Sequence, residues 1–260
     1  MQYCEKGSTR KTDWENQFER TTMIAIIDYG VGNLFSLQSS LRAIGEEVVV
    51  TADQEVIRQA DHVILPGVGA FGDAVQKLRD CGLFDFVKAQ AATGKPFLGI
   101  CLGMQLLFDR SLEYGEHEGL GLIPGEVRPI EGVIPANFDI PHMGWNALHF
   151  IDHPATAGAS KEKQTSSTDP ASADELIDEA QIPASASGRC PLFRDLEEGD
   201  CVYFVHSYAA FDCEANLTAT AEYGVPLTAA VQKGNVYGTQ FHPEKSGAVG
   251  LKILKAFAAL

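Results

Sequence analysis

The chain has 260 residues, 45% hydrophobic and 21% charged, the balance of a globular protein. That length fits one large domain or two small ones and excludes a mainly disordered chain, a collagen or a small disulfide scaffold. Twenty Lys and Arg stand against 35 Asp and Glu, a net charge of −15, which argues against a general nucleic-acid binder because such a protein needs a basic footprint.

Residues 1–22 are polar, mixed in charge and without apolar periodicity, so a disordered extension with no signal peptide is expected there. The folded part is expected to span 23–260. Ile24-Ala25-Ile26-Ile27 is a continuous apolar run, as in a strand buried on both faces. A turn follows at Tyr29-Gly30-Val31-Gly32-Asn33. Leu34, Leu37, Leu41 and Ile44 then recur at helical spacing up to Gly45. Val48–Val50 and His62–Leu65 read as further strands, the second ending in Pro66-Gly67-Val68-Gly69. A helical region at Phe71–Gln90 leads to a strand at Phe97–Ile100 and a helix at Leu102–Phe108. The longest apolar stretch, Pro96–Phe108, is broken by Gly99, Gly103 and Gln105. It is shorter than the ~18 residues of a membrane span, so no membrane partner is expected.

Between Ile151 and Cys190 the composition turns to Ala, Ser, Thr and Pro with no aromatic residue. This window is expected to be a surface insertion, mostly disordered, with at most a weak helix at Asp174–Ala180. Strand-like pieces return at Cys201–Val205, Leu217–Ala221, Leu227–Gln232 and Val236–Phe241. Lys233-Gly234-Asn235 suggests a hairpin between the last two, and an amphipathic helix is expected at Gly250–Leu260. Alternating strands and helices imply an α/β fold: a mainly parallel, flavodoxin-like open sheet, helices on both faces, and an antiparallel extension. Ligands of such sheets sit beyond the carboxyl ends of the strands, so the turns after Ile27, Leu65 and Ile100 should meet on one rim.

The sharpest motif is Gly99-Ile100-Cys101-Leu102-Gly103, a nucleophile elbow between strand and helix. The glycines permit the tight turn, and the helix start favours negative charge on the central side chain. The Leu102 N–H is placed to donate to an oxyanion. A buried core cysteine flanked by packing glycines is the alternative. The second motif is Gln240-Phe241-His242-Pro243-Glu244. Residues two apart in extended chain point the same way, which lets Glu244 reach His242. A thiol, an imidazole and an orienting carboxylate make a nucleophilic triad. Pro66-Gly67-Val68-Gly69 is a rim loop whose backbone N–H groups can turn toward an anion; a plain turn is equally compatible. Gly30-Val31-Gly32-Asn33 fails the dinucleotide frame because Phe35 stands at the third glycine position. His142-Met143-Gly144-Trp145-Asn146 and His206-Ser207-Tyr208 are polar-aromatic clusters suited to a partner surface or to the core. His62, His117, His149 and His153 lack metal-ligand spacing, so neither metal nor cofactor is expected. The six cysteines, without a C-x-x-C, read as reduced thiols of a cytoplasmic protein.

Lys95–Gln105 together with Gln240–Glu244 resembles the class I (triad) glutamine amidotransferases. Leu65–Phe71, Pro141–Asn146 and Phe204–Tyr208 look like one branch of that family, the glutaminase subunits that serve histidine biosynthesis. The resemblance implies L-glutamine as substrate and Cys101, His242 and Glu244 as triad. It implies an oxyanion hole from Leu102 and, after a peptide rotation, the Gly67-Val68 loop. Gln105, Glu113, Ser207 and Tyr208 match glutamine-contacting positions. Asn33, Trp145 and Lys245 match positions facing a cyclase subunit of (β/α)₈ fold, with which the chain would form a heterodimer. Alternatives are a glutaminase of another branch, such as that of vitamin B6 synthesis, a catalytically silent structural partner, and a cysteine hydrolase acting on peptides.

Overall fold

The computed structural model describes residues 22–152 and 188–260. The extension at 1–22, the interior of the 151–190 window and the weak helix at Asp174–Ala180 lie outside these residues, apart from Thr22.

In the first half, β1 (Met23–Ile27), α1 (Leu34–Ala43), β2 (Glu47–Thr51), α2 (Gln54–Gln59), β3 (His62–Leu65), α3 (Phe71–Asp80), α4 (Phe84–Ala91), β4 (Phe97–Ile100) and α5 (Leu102–Gln105) alternate. Short strands follow: β5 (Arg110–Ser111), β6 (His117–Glu118) and β7 (Glu126–Pro129), then the long β8 (His142–Phe150). The chain continues through β9 (Cys201–His206), β10 (Tyr208–Phe211), β11 (Leu217–Glu222), β12 (Pro226–Lys233), β13 (Val236–Thr239) and α6 (Gly247–Ala258).

A nine-stranded sheet has the order β2-β1-β3-β4-β13-β12-β11-β8-β9. Its first five strands are parallel and the remaining pairs antiparallel. The parallel part thus has the flavodoxin-like order, and the second half extends the same sheet as expected. The expected hairpin is present: Lys233 pairs with Val236 across Gly234-Asn235. Its effect is topological. It reverses the chain so that β13 runs parallel to β4, with Thr239 beside Ile100. The residues after both strands therefore emerge on one rim.

Strand side chains alternate between faces. Ile24, Ile26, Ile64, Leu98 and Ile100 join Leu37, Leu41, Ile253 and Phe257 of α1 and α6 in one buried cluster. Ala25, Ile27, Val63, Leu65 and Phe97 join Phe71, Leu78 and Val87 of α3 and α4 in another. Both faces are covered, which is why these strands read as continuous apolar runs.

Several expected boundaries shift, β13 ending at Thr239 rather than Phe241 and the last helix at Ala258 rather than Leu260. Asp53 caps an unforeseen α2, accepting from the Glu55 and Val56 amides at 2.8 and 3.4 Å. The single helix expected at Phe71–Gln90 is two, broken at Gly82, whose φ is +66°. The helix after Cys101 stops at Gln105 rather than Phe108, because the Leu106 and Leu107 carbonyls accept from Leu120, Leu122 and Ile123 instead of from a further turn. The last helix begins at Gly247, three residues early. A second, four-stranded sheet, β10-β7-β5-β6, was not expected at all. Among the described residues no helix is long and apolar enough to cross a membrane.

Both flanks of the Ile151–Cys190 window belong to the folded part. The Ile151 amide donates to the Thr218 carbonyl at 2.9 Å, and Cys190 is buried in the core. The Arg189 guanidinium covers the Phe150 ring at 4.5 Å and reaches the Asp152 carboxylate at 3.8 Å. The chain therefore leaves and re-enters the fold at one place, and a short linker spans the gap. Replacing residues 153–187 by a Gly-Ser linker is expected to change the melting temperature by less than ~5 °C, equivalent to about 2 kcal/mol in a domain of this size. A larger drop in a thermal melt would show that the segment packs on the fold.

Candidate active site

Cys101 sits between β4 and α5 with φ +54° and ψ −112°, a conformation costing on the order of 1–3 kcal/mol for a non-glycine residue. Close backbone approach enforces it. A Cβ on Gly99 would lie 2.6 Å from the Gly103 carbonyl oxygen, and one on Gly103 would lie 1.8 Å from the Leu65 oxygen. A Cβ on Gly67 would lie 2.8 Å from the Gly103 amide nitrogen. The rim loop 66–69 is thus pressed onto the elbow. Because α5 is a single turn, little helix dipole acts on Cys101. What remains are the first-turn N–H groups, which lack intrahelical partners.

His242 follows β13 on the same rim. Its amide donates to the Tyr203 carbonyl at 3.0 Å, and its carbonyl accepts from the Ser246 hydroxyl at 2.7 Å. The Pro243–Lys245 turn is clamped by α6, where a Cβ on Gly250 would meet the Pro243 oxygen at 1.8 Å. His242 Nδ1 lies 2.8 Å from Glu244 Oε1, both side chains only 3% exposed. Nδ1 therefore donates to the carboxylate, and Cys101 acts electrostatically on the same ring. Burial by itself would lower the His242 pKa. The hydrogen bonds and charges of Cys101 and Glu244 outweigh burial and push it up to about 10, so the ring carries a proton at neutral pH.

The cleft above these residues has a volume of ≈ 380 Å³, within the range of small-molecule sites. Cys101, Leu102, Gln105, Glu113, Ser207, Tyr208, His242, Lys245 and Val68 line it. Glu244 stands behind His242, and Gly67 is packed beneath the loop rather than in the wall. Glu113 Oε2 accepts from the Phe71 amide at 2.6 Å, so one carboxylate oxygen already serves the start of α3. Burial raises its pKa, partly opposed by that bond. Asn33 lies off the cleft at the start of α1, its side chain making no cap hydrogen bond. Trp145, 55% exposed, packs edge-on against Tyr203 at 6.0 Å, and Lys245 Nζ lies 5.7 Å from the same ring. His142, by contrast, is fully buried and stacks on Phe204 and Tyr223, so the His142–Asn146 cluster divides between core and surface.

Two residues lie inside the quoted motifs but carry no role from sequence. Gln240 is buried, with Nε2 3.8 Å from Cys101 Sγ and Oε1 3.1 Å from Gln105 Nε2, which also donates to the Tyr208 carbonyl at 3.0 Å. The period-2 alternation of Gln240, His242 and Glu244 was the available signal. His206 Nδ1 donates to the Tyr208 carbonyl at 2.8 Å. Burial, then the charge of His142, drives its pKa down to about 3, so it stays neutral, with Nε2 3.0 Å from His142 Nδ1.

The family described as glutamine amidotransferase class-I matches residues 25–259. A protein of Oceanobacillus iheyensis named imidazole glycerol phosphate synthase subunit HisH is 43% identical over 236 residues, covering 90% of this chain and 98% of its own. One of the same name from Geobacter metallireducens is 44% identical over 239 residues, covering 90% and 97%. Among solved structures, a crystal structure of a glutamine amidotransferase superposes with a TM-score of 0.60 at 15% identity, over 91% of this chain and 99% of that one. PurLQS from Thermotoga maritima gives 0.59 at 18%, over 91% and 97%. These structural likenesses concern the fold alone.

The raised pKa of His242 links protonation to stability. The stabilisation is complete below about 6.5 and is lost as pH rises through about 10. In Cys101→Ala one of the two partners is gone while burial remains, so the His242 titration, followed by NMR of the imidazole, should move down. An unchanged titration would show that the thiol and the ring do not interact.

Proposed function

Since the chain belongs to the class I glutamine amidotransferase family, we propose that Cys101, His242 and Glu244 are the residues with which it hydrolyses glutamine. The function is that of the glutaminase subunit of an imidazole glycerol phosphate synthase, in histidine biosynthesis. The substrate is glutamine, and the ammonia released from it serves a partner subunit. The observation that carries the catalytic assignment is the buried Cys101–His242–Glu244 line, with the imidazole held at 2.8 Å from the carboxylate.

Cys101 Sγ attacks the side-chain carbonyl carbon of glutamine. The carbonyl oxygen takes up the electron pair and is met by the Leu102 N–H and, once a loop peptide rotates, by the Val68 N–H. When the C–N bond breaks, the proton already on His242 goes to the leaving nitrogen, so ammonia departs and a glutamyl thioester remains. His242, now neutral, takes a proton from water as the water attacks the thioester. The C–S bond breaks, glutamate leaves, and the protonated imidazole is restored. Glu244 holds the tautomer throughout. The Gln105 amide nitrogen is occupied by Gln240 and Tyr208, which leaves its carbonyl oxygen for the α-ammonium of the substrate. Glu113 offers its second carboxylate oxygen to the same group, and Ser207 and Tyr208 close the opposite wall. The partner is a cyclase of (β/α)₈ fold docked on the face bearing Asn33, Trp145 and Lys245.

Cys101→Ala is expected to lower glutaminase turnover by about 10³-fold or more, since the covalent route is lost. One missing oxyanion donor costs about 10²–10³ in rate. The isolated chain should therefore release glutamate slowly, the complex with its cyclase faster, and the complex with cyclase ligand fastest. Equal rates in all three would remove the loop rotation from the mechanism. Lys245→Ala should reduce the stimulated rate far more than the basal one; equal losses would place Lys245 among the groups handling glutamine itself.

A further inference from the structure

Tyr29 follows β1 and is buried. Its hydroxyl donates to the Pro66 carbonyl at 2.8 Å. Burial, then the charge of Cys101, pushes its pKa far above the usual phenol range, so the hydroxyl remains a donor at any working pH. The neighbouring Gly32 presses on the same proline: a Cβ there would lie 3.2 and 3.3 Å from the Pro66 ring carbons. The loop after β1 thus grips Pro66 by ring and by carbonyl.

A peptide group is planar. Holding the Pro66 oxygen therefore also holds the Gly67 N–H, which belongs to the same plane. Gly67 is itself buried against the elbow, with the Tyr29 hydroxyl 3.0 Å from where its Cβ would be. Freedom begins one peptide later, at Val68, 42% exposed, and at Gly69, whose φ is +103°. We propose that Tyr29 is a positioning residue for glutamine hydrolysis: through Pro66 it holds the near end of the rim loop and confines the rotation that completes the oxyanion hole to the Gly67–Val68 peptide. This rests on the glutaminase reading given above. The ring of Tyr29 packs in the core whatever the hydroxyl does, so the two contributions are separable.

Tyr29→Phe separates them, since it keeps the ring and deletes only the donor. Amide hydrogen exchange in the full-length chain should quicken about 10-fold at Gly67 and Val68, with β3 unchanged, as expected for loss of one net hydrogen bond. In the complex with the synthase partner, kcat for glutamate release should fall about 10-fold with KM unchanged, and Cys101 should be alkylated by iodoacetamide at the wild-type rate. Unchanged exchange overturns the inference, as does an unchanged kcat. A parallel loss of alkylation would also overturn it, because the elbow as a whole would then have been disturbed. A wild-type complex that releases no glutamate removes the underlying reading instead. The exchange measurement, which needs no activity, tells that failure from this one.

Discussion

Three backbones meet at the nucleophile elbow with no room for a side chain on any of them. Gly103 lies against the Leu65 carbonyl, Gly67 against the Gly103 amide, and Gly99 against the Gly103 carbonyl. This contact places the end of β3 on the turn after β4, and the left-handed backbone of Cys101 is its consequence. A single added methyl group at Gly103 would push the rim loop off the elbow or break the β3–β4 register. The rim loop 66–69 is therefore part of the same packing unit as Cys101.

The second half of the chain brings His242 to Cys101 through topology. The β12–β13 hairpin turns the chain so that β13 enters the parallel part of the sheet beside β4. Had β13 paired antiparallel to β4, His242 would emerge on the opposite rim. Once on the correct rim, the main chain of His242 is held on both sides, by the Tyr203 carbonyl at its amide and by the Ser246 hydroxyl at its carbonyl. The pKa is raised because Cys101 and Glu244 outweigh the lowering by burial. In the proposed mechanism the proton is then already where the departing nitrogen needs it.

Sequence showed the parallel half clearly because strands covered on both faces are apolar at every position, as at Ile24–Ile27 and His62–Leu65. The elbow and the His242–Glu244 pair were also legible, since their chemistry depends on spacings of one and two residues. Other features have no local signature. Strands β5 and β6 span two residues each, too few for any period to show. β8 has only His142 and Leu148 buried and is exposed or half-exposed elsewhere, so His142–Phe150 lacks the hydrophobic alternation of a half-buried strand. The Tyr29–Pro66 hydrogen bond joins residues 37 apart and exists only because β1 and β3 are neighbours. The end of α5 was misplaced because distant amides at Leu120 and Leu122 take its carbonyls, a competition that local helical propensity does not contain.

The central claim is that Cys101 forms a covalent glutamyl intermediate while His242 delivers its proton to ammonia. Rapid mixing of the complete synthase with glutamine, followed by acid quench and peptide mapping, measures this directly. Ammonia should appear in a burst ahead of glutamate, with a glutamyl group transiently on the peptide that contains Cys101. Ammonia and glutamate appearing together from the first turnover, with Cys101 unmodified at every time point, would contradict the account.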